Sequence, residues 1–114
     1  MGAIDKLHTI SHDIGLLGDT LEKIDIRNNF ISSTIPTTIG GLRLLSYFDV
    51  RENKLTGSLP NELFNATGLQ VLNLGHNNFH GELSARHLVE LKELRLSFTN
   101  ISGGISTELP NLGK

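Results

Sequence analysis

The stretch from Leu45 to Leu69 reads LSYFDVRENKLTGSLPNELFNATGL and decides the architecture of this chain. Its apolar residues, asparagine, glycine and proline follow the pattern LxxLxLxxNxLxGxLP. The pattern starts at Leu45, and Leu69, 24 residues later, starts it again. The pattern also begins at Leu21, Leu69 and Leu91, which gives spacings of 24, 24 and 22 residues. Recurrence at a fixed period indicates a solenoid in which each unit packs against its neighbours.

Within each unit, the LxxLxL part alternates as a short strand does, with its apolar residues on one face. The residues predicted to point into the core are Ile24, Ile26, Phe48, Val50, Leu72, Leu74, Leu94 and Leu96. Successive coils are expected to pair these strands in parallel, at about 4.8 Å, as one sheet along the concave face. The other side of each unit, such as Thr37 to Leu42, is too short for a long helix and predicts 3₁₀ turns or irregular coil.

A polar column is expected where the chain turns inward after each strand. Asn29, Asn53 and Asn77 recur at this position, and Thr99 replaces them in the fourth unit. An asparagine side chain has the donors and acceptor that unpaired backbone groups need there, whereas threonine satisfies fewer of them. The glycines at 57, 81 and 103 permit a backbone conformation closed to other residues, and Ser33 breaks that rule in the first unit.

Residues 21–114 therefore form the repeats, and residues 1–20 are a degenerate partial repeat or a cap. Ile10, Ile14 and Leu17 fall near helical spacing, which allows a capping helix. The half-repeat is favoured because Gly15 and Gly18 are poor helix formers. Neither end has the polar cap that terminal repeats need, so we interpret the chain as a piece of a longer array.

Composition excludes several functional classes. The net charge is −2 and no run of lysine or arginine occurs, which argues against nucleic acid as a partner. No apolar stretch approaches the roughly 18–20 residues of a membrane span, and the N-terminal residues lack the features of a secretory signal. The localisation therefore stays open. The absence of cysteine removes disulfides and cysteine-based metal sites.

The combination LxxLxLxxNxLxGxIP at 24 residues resembles the plant-type leucine-rich repeat of receptor-like kinase ectodomains, receptor-like proteins and polygalacturonase inhibitors. The resemblance implies an α/β right-handed solenoid, with short parallel strands on the concave face, irregular or 3₁₀ segments on the convex face, and a second short strand near the glycine. It also implies binding of proteins, peptides or glycans. The cysteine-and-tryptophan cap that usually precedes such arrays is absent, since the chain has neither residue type.

Alternate strand residues are predicted to face solvent on the concave sheet and to contact a ligand. The candidates are Tyr47, Asp49, Arg51, Asn73, His76, Arg95 and Phe98. Aromatic and arginine side chains dominate binding hot spots, which favours recognition. The alternative is a solvated sheet face whose charges only keep the array soluble.

Other chemistry has weaker signals. The histidine pairs four residues apart, such as His76 and His80, would share a face only on a helix, so no metal or other cofactor is predicted. No acid-base pair or nucleophile motif occurs, which predicts a protein that is not an enzyme. Two N-glycosylation sequons begin at Asn65 and Asn100.

The function predicted from the sequence is non-catalytic binding of a protein or peptide, with a glycan as a further ligand class, by part of a receptor-like or secreted protein. The alternatives are an intracellular structural scaffold and the ectodomain piece of a receptor-like kinase whose catalytic domain lies elsewhere.

Overall fold

The computed structural model describes residues 8–83 and 88–102. In chain order the elements, with 3₁₀ helices written η, are η1 (His12–Leu17), β1 (Lys23–Asp25), β2 (Ser32–Ser33), η2 (Thr37–Gly41), β3 (Tyr47–Asp49), β4 (Lys54–Ser58), η3 (Asn61–Asn65), β5 (Val71–Asn73), β6 (Asn78–Glu82), β7 (Glu93–Arg95) and β8 (Asn100–Ser102). Odd-numbered strands form one four-stranded parallel sheet and even-numbered strands form another.

The first sheet, β1-β3-β5-β7, lines the concave face and holds the repeats in register. Ile24 lies opposite Phe48, Phe48 opposite Leu72, and Leu72 opposite Leu94. Backbone bonds continue past the strand ends, since the Val50 and Leu74 N–H groups donate to the carbonyls of Asn73 and Arg95. This arrangement confirms the predicted solenoid with short parallel strands.

The core lies between the two sheets and the 3₁₀ helices. Leu45, Phe48 and Val50 of the second coil are completely buried, and Phe79 fills the leucine position of the third coil without exposure. Burying a side chain of this size stabilises the fold by about 1.5–3 kcal/mol. Ile26, Leu94 and Leu96 are partly buried and pack against this core.

The second sheet forms around the glycine positions. Gly57 and Gly81 have φ angles of 84° and 91°, which lie in the left-handed region. Ser33 occupies the same position in the first coil and adopts the same conformation, with φ at 71°. The backbone path is therefore set by the coil, and the serine adopts it at a cost of roughly 1–2 kcal/mol. The corresponding Gly103 lies outside the described residues.

The three 3₁₀ helices stack on one another, η1 on η2 and η2 on η3, and their buried side chains pack into the same core as the concave strands. Close approach of their backbones depends on glycine, because a Cβ atom built on Gly18 would lie 2.2 Å from the Gly41 carbonyl oxygen. The N-terminal segment joins both the second sheet and this stack. Thr9 pairs in parallel with Ser32 of β2, and the Thr38 hydroxyl of η2 donates to the His12 carbonyl at 2.7 Å. A half-repeat would make such contacts, and the assignment of residues 1–20 stays a prediction.

Candidate functional site

The concave sheet carries a chain of ion pairs that crosses its coils. Arg27 contacts Asp25 of its own coil at 3.0 Å and Asp49 of the next coil at 3.8 Å. Arg51 contacts Asp49 through two nitrogens, with Nε to Oδ1 at 2.9 Å and Nη2 to Oδ2 at 2.7 Å. Charged hydrogen bonds of this bidentate form are the stronger kind, so the contact fixes the orientation of Arg51.

The expectation that Asp49 and Asn73 face solvent is wrong. The side chain of Asp49 is fully buried and Asn73 is 1% exposed, although both occupy outward-facing positions of the sheet. The Asn73 amide donates to Asp49 at 3.2 Å and to Glu93 of the following coil at 3.0 Å. These two residues are closed in by their neighbours, so they hold the network together and do not present a surface to a ligand.

The same contacts change the acidity of the carboxyl groups. Burial alone would raise the pKa of Asp49, but hydrogen bonds from Arg51 and Asn73 outweigh it and hold that pKa below its usual value. Hydrogen bonds from Arg95 and Asn73 lower the pKa of Glu93. Both groups are therefore ionised in the folded chain at neutral pH.

Asn73 has one buried polar atom, its carbonyl oxygen Oδ1, that has no hydrogen-bond partner among the residues that the structure describes. Rotating the amide would not help, because the nitrogen would then move away from the two carboxylates that it now bridges. An unpaired buried acceptor costs about 1–3 kcal/mol, which the two charged hydrogen bonds of the amide nitrogen offset.

A depression of about 390 Å³ lies at the end of this network. Arg27 and Arg51 fill one column of the first two coils, but Gly75 and Ser97 follow in that column and leave space. The lining residues are Arg51, Glu52, Gly75, His76, Leu94, Arg95, Leu96, Ser97 and Phe98. It thus combines two cationic side chains and the carboxylate of Glu52 with an apolar floor and an aromatic rim.

The aromatic rim is the pair His76 and Phe98, whose ring centroids stack at 4.4 Å. Both residues have left-handed backbones, with φ at 57° and 61°, and so do Asn28 and Glu52 at the same position of the first two coils. Recurrence in every coil shows that the coil geometry sets this conformation. Its consequence for the site is that Phe98, 76% exposed, projects beside the depression.

Of the predicted ligand contacts, Arg51, His76, Arg95 and Phe98 surround this depression, whereas Tyr47 does not line it. Tyr47 begins the β3 strand, where the Lys23 ammonium lies 4.6 Å from its ring centroid. Sequence reasoning did not single out Gly75 and Ser97. The sequence does contain a sign of the depression: in the column that begins with Arg27 and Arg51, the next two coils have the small residues Gly75 and Ser97.

The asparagine positions are arranged as a column of bridges between coils. The Asn53 amide accepts from the Ile31 N–H at 3.0 Å, and Asn77 accepts from the Leu55 N–H at 3.0 Å. Their nitrogens donate to backbone carbonyls, including Ile26 and Val50 of the preceding coils. Asn29 donates to two carbonyls of its own turn, and the Thr99 hydroxyl donates to the Leu96 carbonyl at 2.7 Å.

The two sequons lie in different structural settings. Asn65 is exposed at the end of η3, and Asn100 is exposed on the paired strand β8. Within residues 8–83 and 88–102, no cluster of three or more histidine, aspartate or glutamate side chains is arranged to bind a metal ion. In the same described ranges, no helix has the length and apolar character of a membrane span.

Comparison with known proteins agrees with this geometry. A sequence model described as leucine rich repeat matches residues 19–79, and a second model of the same description matches residues 90–112. The chain belongs to the leucine-rich-repeat family. Within it, the chain is similar to Receptor like protein 24 of Arabidopsis thaliana, with 39% identity over 98 residues, 75% of this chain and 11% of that protein.

A second relative, Receptor-like protein 36 of the same plant, is 30% identical over 96 residues, which cover 82% of this chain and 13% of the relative. The chain thus spans a small part of the length of both proteins. Among solved structures, the ectodomain of the Arabidopsis receptor kinase SOBIR1 superimposes with a TM-score of 0.84 and 28% identity, over 92% of this chain and 59% of that one.

The Arabidopsis receptor kinase HAESA, solved in complex with the peptide hormone IDA and the co-receptor SERK1, superimposes with a TM-score of 0.82 and 36% identity, over 91% of this chain and 18% of that chain. The plant-type repeat predicted from the sequence is therefore confirmed by both sequence and structure.

Proposed function

We propose that this chain is a non-catalytic peptide- or protein-binding segment of a receptor-like recognition protein. The observation that carries the proposal is the depression at Gly75 and Ser97 on the concave sheet, which has cationic, apolar and aromatic groups around one space. Similarity to the HAESA ectodomain, solved with a peptide hormone, supports a peptide as the ligand class.

The charge distribution indicates how a peptide would bind. The side chain of Arg95 is 57% exposed, and its contact with Glu93 at 2.7 Å uses only Nε. Its terminal nitrogens make no hydrogen bond with the described residues and remain available to a carboxylate or backbone carbonyl. Leu94, Leu96 and the Phe98 ring lie next to them and suit an apolar side chain.

The test is a binding selection with a blocking variant. Phage-displayed random peptides would be enriched on the whole chain, and the selected peptides measured against Ser97→Trp, whose indole would fill the depression. Thr37→Trp is the matched control, because Thr37 is exposed on η2 away from the concave sheet.

We expect the selected peptides to bind the wild-type chain and Thr37→Trp equally and to lose at least about tenfold in affinity for Ser97→Trp, a difference of about 1.4 kcal/mol. Equal binding to all three proteins would place the ligand elsewhere and refute the proposal. Failure to enrich any peptide above the background of the uncoated support would refute it as well.

A further inference from the structure

We propose that the depression on the concave sheet takes an arginine side chain of its peptide ligand and that Glu52 is the residue that selects it. The inference deepens the proposed function and rests on it, because it names the chemistry of the group that enters the same depression. It follows from the charge balance of the lining residues and from the row of side chains to which Glu52 belongs.

The two arginines that line the depression are already paired with carboxylates of the protein. Arg51 holds the buried Asp49 through two nitrogens, at 2.9 and 2.7 Å, and these hydrogen bonds raise the pKa of Arg51 above its usual value. Arg95 contacts Glu93 at 2.7 Å. Because each positive charge is in direct contact with a negative one, their fields largely cancel at an incoming ligand.

Glu52 carries the charge that remains. Its side chain is exposed, lines the depression and makes no ion pair or side-chain hydrogen bond with the residues that the structure describes. The lysine next to it in sequence, Lys54, is directed to the preceding coil, where its ammonium lies 5.4 Å from the centroid of the Phe30 ring.

The charge balance at the depression therefore favours a cation. With histidine counted as neutral, the lining side chains and their ion-pair partners comprise two positive and three negative groups. The one without a partner is the carboxylate of Glu52. A bound guanidinium would balance the site, whereas a bound carboxylate would add to the negative charge.

Glu52 also stands in a row with two aromatic rings. Glu52, His76 and Phe98 occupy the same position of three successive coils and share the left-handed backbone conformation. Paired coils lie about 4.8 Å apart, so these side chains begin one and two coil spacings from one another. All three line the same depression, and the rings of His76 and Phe98 stack and are exposed.

An arginine side chain fits this combination of groups. Its guanidinium is planar, forms two parallel hydrogen bonds with a carboxylate and stacks on aromatic rings. A cation is attracted to an aromatic face out to about 6 Å from the ring centroid. A guanidinium paired with Glu52 therefore lies against the stack of His76 and Phe98, while its methylene groups cover the apolar floor at Leu94 and Leu96.

The test compares two blocked tripeptides that differ only in charge. Acetyl-Leu-Arg-Leu-amide carries the guanidinium, and acetyl-Leu-citrulline-Leu-amide replaces it by a neutral urea group of nearly the same shape. Each is titrated into the whole chain while NMR follows the resonances of the Phe98 ring, at about pH 8, where an ordinary histidine is uncharged. We expect the arginine peptide to shift these resonances and to bind at least about fivefold more tightly than the citrulline peptide.

Three variants assign this preference to the proposed residues. Glu52→Gln keeps the size of the side chain and removes its charge, so the preference for the arginine peptide should fall below about twofold. Phe98→Leu should weaken binding of the arginine peptide more than that of the citrulline peptide, because it removes the ring and keeps an apolar side chain. Glu62→Gln is the matched control, since Glu62 is exposed on η3 away from the concave sheet, and it should keep the full preference.

Equal affinity of the wild-type chain for the two tripeptides would overturn the inference, and so would a preference that survives in Glu52→Gln. Absence of detectable binding of either tripeptide at millimolar concentration would overturn it as well. The proposed function is judged separately, by the selected peptides and Ser97→Trp. If those peptides bind the depression but the arginine preference is absent, only the inference fails; if Ser97→Trp leaves their binding unchanged, the proposed function fails.

Discussion

Replacing Asn77 by alanine tests how the coils are held together. In the folded chain this amide accepts from the Leu55 N–H at 3.0 Å and donates to the carbonyls of Val50, Leu74 and Gly75 at 2.8, 3.2 and 3.2 Å. Alanine removes all four contacts. The Val50 carbonyl keeps a second donor in Asn53, at 2.9 Å, but the Leu55 N–H loses its partner in a buried position.

The expected cost follows from these contacts. One orphaned buried donor costs about 1–3 kcal/mol, and the two weakened carbonyls add to it, so Asn77→Ala should lower the free energy of unfolding by about 3 kcal/mol. For a domain of this length, that loss corresponds to a melting temperature lower by about 12 °C. The assay is urea unfolding followed by circular dichroism, with thermal melting as a second measure.

Asn29→Ala is the matched control, because Asn29 is exposed and its described hydrogen bonds are to carbonyls of its own turn. It should cost less than about 1 kcal/mol, as for a solvated hydrogen bond. Equal losses for the two variants would refute the argument that burial of the bridged groups, and not the asparagine itself, determines the stabilisation.

Two further predictions concern charge and backbone. Because the pKa of Asp49 is held below its ordinary 3.8, its ionised form stabilises the fold above that pH, and the contribution is lost as pH falls through the lowered pKa. Urea unfolding at a series of acidic pH values should therefore show a shallower pH dependence of the unfolding free energy for Asp49→Asn than for the wild type. Parallel curves for the two proteins would contradict this. Gly81→Ala should lower the free energy of unfolding by about 1–2 kcal/mol, because φ is 91° at this position. Ser33→Gly should raise the free energy of unfolding in the same melting assay, because serine now adopts a left-handed backbone there. Destabilisation by both variants would show that the left-handed backbone does not determine stability at these positions.

Much of the fold follows from local periodicity. The alternation in each LxxLxL segment places Phe48 and Leu72 in the core, and the constant spacing aligns them across coils. Such patterns depend on residues close together in the chain, which is why the sequence predicts them. The position of the asparagine column follows in the same way.

The accessible surface of the site does not follow from that periodicity. Asp49 sits at a position that alternation marks as solvent-facing, yet Arg51 and Asn73 enclose it, and the latter comes from another coil 24 residues away. A residue that is outward in its own strand can thus be buried by its neighbours across the sheet.

The sequence by itself determined the repeat, the register of the concave sheet, the core and the face on which ligand contacts were expected. Only the tertiary structure decided which residues of that face are open, because the depression exists where Gly75 and Ser97 lie side by side and leave space between Arg51 and Phe98. The physical reason is that periodicity fixes the direction of each side chain, whereas exposure depends on the volume and charge of side chains brought next to it from other coils.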